Sequence, residues 1–359
     1  MGLTSIATEV FLIILTILTI ALVLYFWKKL ASRSVLLRLI ILVLCQALAV
    51  TSVGVAINRS NGFYSSWQDL FGIKIDYSKT AVKYANLKVI DAKTLEKYPR
   101  TPDGQVIVKE ITRGRLSNVS GVVYFVLPKN QVDLIRHGQK IDLSQSKIVE
   151  FINGYPSGPE TWFHSMNVAH EIALSDKVFG RKSIIAVIPT VNVDGSKDLE
   201  CMNFPRGGDQ TETWLSRDIH SYAVKRLGIP ETKFSLLGVS TGGWCTAMLA
   251  IKHPNLFDGG VSISGYYTPA FNSGISNNDR KYLTKKYDLS KLEQKLKNPI
   301  RLLLIASAQD EYSFSRTKRF MKAQHPMIIS NYVEIPFGGH NNRVWKKELP
   351  RSFFWILKL

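Results

Sequence analysis

The stretch Phe234-Ser-Leu-Leu-Gly238-Val-Ser240-Thr-Gly242-Gly243-Trp-Cys-Thr-Ala-Met-Leu-Ala250 decides how this chain is read. An apolar run of strand character meets Gly-Val-Ser-Thr-Gly and continues into an Ala-, Met- and Leu-rich segment, which reads as strand, sharp turn and helix. A serine at the centre of Gly-x-Ser-x-Gly in that setting sits on a strained turn that lifts its hydroxyl above the sheet. The flanking glycines admit the close backbone approach. Five positions with three fixed recur by chance, and a glycine-rich turn with a capping serine is the competing reading. The strand before and the helix after make Ser240 the candidate nucleophile.

Outward from this segment, short apolar runs bounded by turn residues alternate with longer amphipathic stretches. The runs are Lys147 to Ile152, Ser183 to Ile188, Phe234 to Val239, Gly260 to Ile263, Ile300 to Ala306 and Met327 to Ile335. Helices are expected near Ser165 to Leu174, Thr213 to Leu227, Gly242 to Lys252, Ser313 to Gln324 and Asn341 to Leu357. Such alternation predicts an α/β fold with a mainly parallel sheet covered on both faces. Val106 to Val108 and Gly121 to Val126, the second closed by Pro128, predict an antiparallel lead-in. Reactive groups then collect at the carboxyl ends of the strands.

A serine hydroxyl needs a base to take its proton. Of seven histidines, His340 in Ile335-Pro-Phe-Gly338-Gly339-His340-Asn341 follows the last expected strand, where glycines let a loop fold over the site. His253, before Pro254, fits the carboxyl end of the elbow helix, and the other five fall on helices or surface loops. The base in turn needs a carboxylate to fix its tautomer, and in the order Ser, acid, His it should follow a strand between 240 and 340. Asp310 directly follows the run Arg301 to Ala308, with Glu311 as the alternative acid. Either could instead begin the next helix as an acidic first-turn residue. Two donors must face the developing oxyanion: the backbone N–H of Thr241, and one from the loop Phe151-Ile-Asn153-Gly154-Tyr155-Pro156. Tyr155 is chosen there because Pro156 has no N–H; a simple connecting turn is the other reading. Tyr266 to Asn298 is a polar, lysine-rich insert at the edge where such folds select substrates.

The amino-terminal part differs. Val10 to Trp27 and Leu39 to Ile57 are uncharged apolar runs of 18 and 19 residues, each about the length of a membrane-spanning helix. A cleaved signal peptide is disfavoured for the first, because the positive charges follow the run and a second run comes at once. Lys28, Lys29, Arg33 and Arg38 in the turn place it on the cytoplasmic side, leaving everything after about Arg59 extracytoplasmic. The expected organisation is a membrane anchor over 1–59, a linker or lead-in over 60–103, and a catalytic-type domain over 104–359. Lys and Arg total 46 against 28 acids; without the anchor the balance is 41 against 27. A cationic exterior domain would be drawn to anionic lipids or envelope polymers. Scattered lysines, no zinc-finger or RNA-recognition motif, and the outward topology argue against nucleic acid. Cys45 falls in the second apolar run, so Cys201 and Cys245 form an even pair in a compartment where disulfides persist, and they are expected to be bonded. No His/Cys cluster has zinc spacing and no cofactor is expected.

Taken together, Val126-Leu127-Pro128, Asn153-Gly154-Tyr155-Pro156, Gly238-Val-Ser240-Thr-Gly-Gly and Gly338-Gly-His340-Asn resemble the esterase family of α/β-hydrolases that includes esterase D and the secreted mycolyltransferases. Membrane-anchored actinobacterial-type members are similar in the run Val191-Asn-Val-Asp-Gly-Ser-Lys-Asp-Leu-Glu-Cys201 and in Thr213-Trp214-Leu215. The likeness covers about Gly104 to Leu357. It implies nucleophile Ser240, base His340, acid Asp310 and oxyanion donors Tyr155 and Thr241. Tyr155 to Pro159 is bulkier than the family pattern, and the acid is its least fixed member. The implied activity is hydrolysis of a small-molecule or lipid carboxylic ester through an acyl-enzyme. The alternatives are acyl transfer to an envelope sugar or lipid hydroxyl, and a catalytically silent envelope-binding module.

Overall fold

In a computed structural model, which describes residues 2–3, 5–61, 64, 67–71, 87–180, 182–192, 198–271 and 274–359, the apolar runs pair edge to edge in one sheet. Its strands are β1 (Val106–Arg113), β2 (Ser120–Leu127), β3 (Ser146–Ile152), β4 (Ser183–Pro189), β5 (Phe234–Val239), β6 (Phe257–Ile263), β7 (Ile300–Ser307) and β8 (Ile328–Ile335). Their order is β1-β2-β4-β3-β5-β6-β7-β8. The β1 and β2 lead-in is antiparallel, and β3 to β8 run parallel.

Alternation along each strand explains why the runs read as continuously apolar. Val149 and Phe151 of β3 face one core with Trp162, Ile172 and Phe353, while Ile148 and Ile152 face the other with Tyr222 and Trp244. The longer helices are α1 (Ile6–Tyr25) and α2 (Val35–Asn61) in the amino-terminal part, then α3 (Lys129–Arg136), α4 (Val168–Phe179), α5 (His220–Leu227), α6 (Thr241–Lys252), α7 (Asn277–Lys286), α8 (Glu311–Ala323), α9 (Asn342–Lys347) and α10 (Leu349–Ile356). Residues of α4 and α10 line the first core, and residues of α5, α6, α7 and α8 line the second.

Three expected helices are interrupted or shortened, each for a local reason. Asn341 to Leu357 divides at Glu348, because Pro350 lacks the N–H a continuing helix needs and instead sits in the first turn of α10. The helix expected from Ser165 begins only at Val168, after Asn167, whose φ of 51° lies in the left-handed region. Thr213 to Leu227 passes through the wider π turn Trp214–Ile219 before α5. The insert after Tyr266 carries α7 and a short helix, Leu289–Leu292. Of the expected linker, residues 62–63, 65–66 and 72–86 lie outside the described residues. Its later part contributes Ile90 and Leu95 to the domain core.

Contacts divide the chain into two units, 1–73 and 74–359. In the first, Glu9 pairs with Arg59 and Thr16 Oγ1 meets Ser52 Oγ at 2.9 Å, so α1 and α2 lie antiparallel. Ile6–Tyr25 (20 residues) and Val35–Arg59 (25 residues) are long and apolar enough to cross a membrane, by length and composition. Most of their large apolar side chains are exposed, including Phe11, Ile14, Ile17, Leu18, Leu39 and Val43, a surface unsuited to water. The two helices are therefore candidate membrane spans. Cys45 lies within α2 as a free thiol.

In the second unit Cys201 and Cys245 are disulfide-bonded, with Cα atoms 5.8 Å apart and a sequence separation of 44. The bond ties the segment before the π turn to the middle of α6. For a loop of this size the chain-entropy contribution is about 2–4 kcal/mol. Full reduction, or Cys201→Ser, is expected to lower the thermal unfolding midpoint by several degrees in calorimetry. An unchanged midpoint after verified reduction would remove the bond from the stability of the domain.

Candidate active site

The elbow is built by steric necessity. A Cβ on Gly238 would come 2.0 Å from the Gly242 carbonyl oxygen, and one on Gly242 would come 2.0 Å from that of Ile152 at the end of β3. Only glycine permits either approach. Ser240 between them has φ 56° and ψ −121°, a conformation L-residues avoid, and its N–H donates to the Ile263 carbonyl at 2.9 Å. The turn ends at the first residue of α6, whose residues from Thr241 to Ile251 are all buried.

His340 arrives on the loop after β8. Its Nε2 lies 2.7 Å from Ser240 Oγ, and its Nδ1 lies 2.6 Å from Asp310 Oδ2. An Nδ1–H donated to Asp310 leaves Nε2 as the acceptor facing the serine. The loop is held by the Gly338 N–H, which donates to Gln309 Oε1 at 2.8 Å, and by the Ser307 hydroxyl, which donates to the Gly338 carbonyl. The His340 ring stands edge-on to Trp345 with centroids 4.9 Å apart, and Trp345 Nε1 donates to Ser264 Oγ at 3.0 Å. Gln309, Ser307, Trp345 and Ser264 were not foreseen from sequence, since none stands in a recognisable spacing to the serine.

Asp310 is buried. Burial alone would raise its pKa, but hydrogen bonding to and the charge of His340, with contributions from the Ser313 backbone and Ser264, hold it below the usual aspartate value. Its Oδ1 also accepts from the Ser313 N–H at 3.4 Å, so the residue caps α8 with one oxygen and meets His340 with the other. Glu311 opens α8 with an exposed side chain. The remaining histidines lie elsewhere; His253, at the end of α6, bonds Glu212 Oε1 at 2.8 Å.

The loop carrying Tyr155 passes against Ser240, since a Cβ on Gly154 would come 2.9 Å from Ser240 Cβ. Thr241 is the first residue of α6, where helix geometry leaves a backbone N–H without an intrahelical partner. Its side chain joins a group the sequence did not suggest: Thr241 Oγ1 is 3.2 Å from Asp198 Oδ2 and 3.1 Å from the Tyr266 hydroxyl, which is 2.7 Å from Glu200 Oε1. Asp198 and Glu200 stood in the run 191–201, of which 193–197 lie outside the described residues.

No family model matches the chain. An uncharacterised protein of Corynebacterium glutamicum, Cgl0967/cg1104, is 20% identical over 234 residues, covering 60% of this chain and 53% of that protein, or about half its length. Among solved structures, a ferulic acid esterase aligns with TM-score 0.58 and 13% identity over 71% of this chain and 98% of its own. An S-formylglutathione hydrolase from Agrobacterium tumefaciens aligns with TM-score 0.57 and 12% identity over 72% of this chain and 97% of its own. These likenesses, with the sheet order above, identify the α/β-hydrolase fold.

The glycine contacts carry a direct test. Gly242→Ala forces its methyl group against the Ile152 carbonyl and is expected to destabilise the domain by roughly 2–3 kcal/mol or prevent folding. Denaturant unfolding of the variant at wild-type stability would disprove the close approach.

Proposed function

We propose that this protein is a serine hydrolase that cleaves carboxylic esters through an acyl-enzyme. The observation that carries the reading is the continuous run Ser240 Oγ, His340 Nε2, His340 Nδ1, Asp310 Oδ2, with contacts of 2.7 and 2.6 Å, placed on a strained elbow at the carboxyl edge of the sheet. Ser240 Oγ attacks the ester carbonyl carbon as His340 Nε2 takes its proton. Asp310, ionised, holds the ring by Nδ1–H and stabilises the imidazolium. The tetrahedral oxyanion accepts from the Thr241 and Tyr155 backbone N–H groups. Collapse expels the alcohol, which takes the proton back from Nε2, and a water activated by the same nitrogen then releases the acid.

Phe337, three residues before His340, and Tyr312, two after Asp310, are exposed large apolar rings near the proposed triad in sequence, which supports small-molecule or lipid esters as the substrate class. A fluorophosphonate probe is expected to label the wild type and to fail on Ser240→Ala and His340→Ala, each with kcat on a chromogenic ester down by about 10⁶. Asp310→Asn should lose about 10⁴, and Glu311→Gln should stay near wild type. Labelling that survives Ser240→Ala would refute the proposal. Products that appear only when sugar acceptors are added would move the second step from water to acyl transfer.

The placement proposed with this activity is a two-span anchor whose basic turn, Lys28 to Arg38, is cytoplasmic and whose hydrolase domain is extracytoplasmic. The disulfide suits that side. In intact cells of a Cys45→Ala background, a membrane-impermeant maleimide should label Lys177→Cys and spare Ser32→Cys until the cells are permeabilised. The reverse pattern would invert the topology without touching the chemistry.

A further inference from the structure

Beside the elbow runs a second chain of hydrogen bonds that the acyl-transfer steps do not use. It links Glu200, Tyr266, Thr241 and Asp198 in that order, with contacts of 2.7, 3.1 and 3.2 Å. All four residues are more than nine-tenths buried. Three oxygen–oxygen contacts require three protons. The Tyr266 and Thr241 hydroxyls supply one each. Were both carboxyls ionised, one contact would oppose lone pairs with no proton between them, so one carboxyl must bring the third.

The surroundings decide which. Asp198 accepts the Glu200 N–H on Oδ1 at 3.1 Å and the Thr241 hydroxyl on Oδ2. Glu200 is fully buried, and its Oε2 has no hydrogen-bond partner among the described residues. Among the described residues, the titratable groups that reach it are Asp198 on its own segment, Tyr266 after β6 and Tyr312 on α8, none of them cationic. The Arg316 guanidinium lies over the Tyr312 ring, 3.6 Å from its centroid. Ionising Glu200 there would strand a charge in the interior, whereas Asp198 has donors for both oxygens. Burial raises both carboxyls, Asp198 to about 6 and Glu200 well above the usual glutamate value. At Glu200 the neighbouring aspartate adds to burial, while the Tyr266 hydroxyl and Ala270 backbone oppose it without reversing it. The chain then runs one way: Glu200 donates to Tyr266, Tyr266 to Thr241, and Thr241 to Asp198.

We propose that un-ionised Glu200 and Tyr266 are positioning residues that fix Thr241 as an oxyanion donor, with Asp198 as the anionic end of the chain. The inference rests on the serine-hydrolase reading and deepens it. Thr241 is adjacent to the nucleophile, so anchoring its side chain at two points sets the direction of its N–H. The Glu200 segment is itself pinned to α6, because Cys201 is bonded to Cys245 and Trp244 Nε1 donates to the Glu200 carbonyl at 3.2 Å. A neutral Glu200 also spares the oxyanion a second negative neighbour.

Two measurements test the proposal. The infrared difference spectrum of wild type minus Glu200→Gln at neutral pH should contain the carbonyl stretch of an un-ionised carboxylic acid. Carboxylate bands in its place would overturn the proton assignment, and this readout is independent of any catalytic activity. Kinetically, Tyr266→Phe should lower kcat roughly 10- to 100-fold with KM little changed. Wild-type kcat in this variant would overturn the positioning role even with the acid band present. Should Tyr266→Phe fail to fold, Thr241→Val removes the same link and is read in the same way. Failure of the serine-hydrolase reading would show separately, as a wild type that neither labels with fluorophosphonate nor turns over ester.

Discussion

The approach of Gly242 to the Ile152 carbonyl, too close for any Cβ, is the constraint around which the carboxyl edge of the sheet is arranged. It brings the start of α6 against the end of β3, and the chain can turn from β5 into α6 in that space only by taking Ser240 through a positive φ. The strained residue is therefore held by its neighbours and not by its own preference. The same contact sets the Asn153–Pro156 loop beside the serine, because that loop is simply the continuation of β3. A candidate nucleophile and the loop proposed to supply an oxyanion donor thus share one steric origin.

The other half of the site depends on strand register. β7 and β8 pair in parallel from Ile300 with Ile328 to Ser307 with Ile335, and the Ala308 N–H donates to the Ile335 carbonyl at 2.9 Å. The chain leaves both strands at one level, so Gln309 and Asp310 stand beside the loop of Gly338 and His340. A slip of one residue would turn each strand's side chains to the opposite face and separate the acid from the histidine. The parallel sheet and the His–Asp contact are consequences of the same pairing.

Much of this was legible in the sequence because the signals are local. Ser240, Asp310 and His340 each follow an apolar run closely, and the glycines around the serine and histidine mark turns in advance. The sequence favours Asp310 over Glu311 only by its place after β7. The two differ in cap geometry: Asp310, at φ −98° and ψ 73°, stands outside the helix with its carboxylate turned inward, whereas Glu311 is already helical and exposed. Pro350 itself marks the break within 341–357, which apolar spacing alone does not show. The Asp198–Glu200 group could not be read. Two acids in an irregular segment look like a solvated turn, and only the tertiary fold, closing Tyr266 and α6 over them, makes them buried. The paired cysteines were the one hint that this segment returns to the elbow helix.

Ser240 and Thr241 are consecutive, yet their side chains enter different hydrogen-bond systems. The positive φ at Ser240 turns its hydroxyl toward His340, while Thr241, already in the helix, turns its own toward Asp198 and Tyr266. The proposed roles differ in the same way. A proton must leave and return along the serine's chain in every cycle, so its members are joined through a histidine that changes charge. Along the threonine's chain nothing needs to move, and a neutral acid, two hydroxyls and one carboxylate can hold it in a single arrangement. In the proposed roles, separating the mobile chain from the fixed one at adjacent residues lets a proton move between Ser240 and His340 without disturbing the donor beside it, which is what electrostatic preorganisation requires.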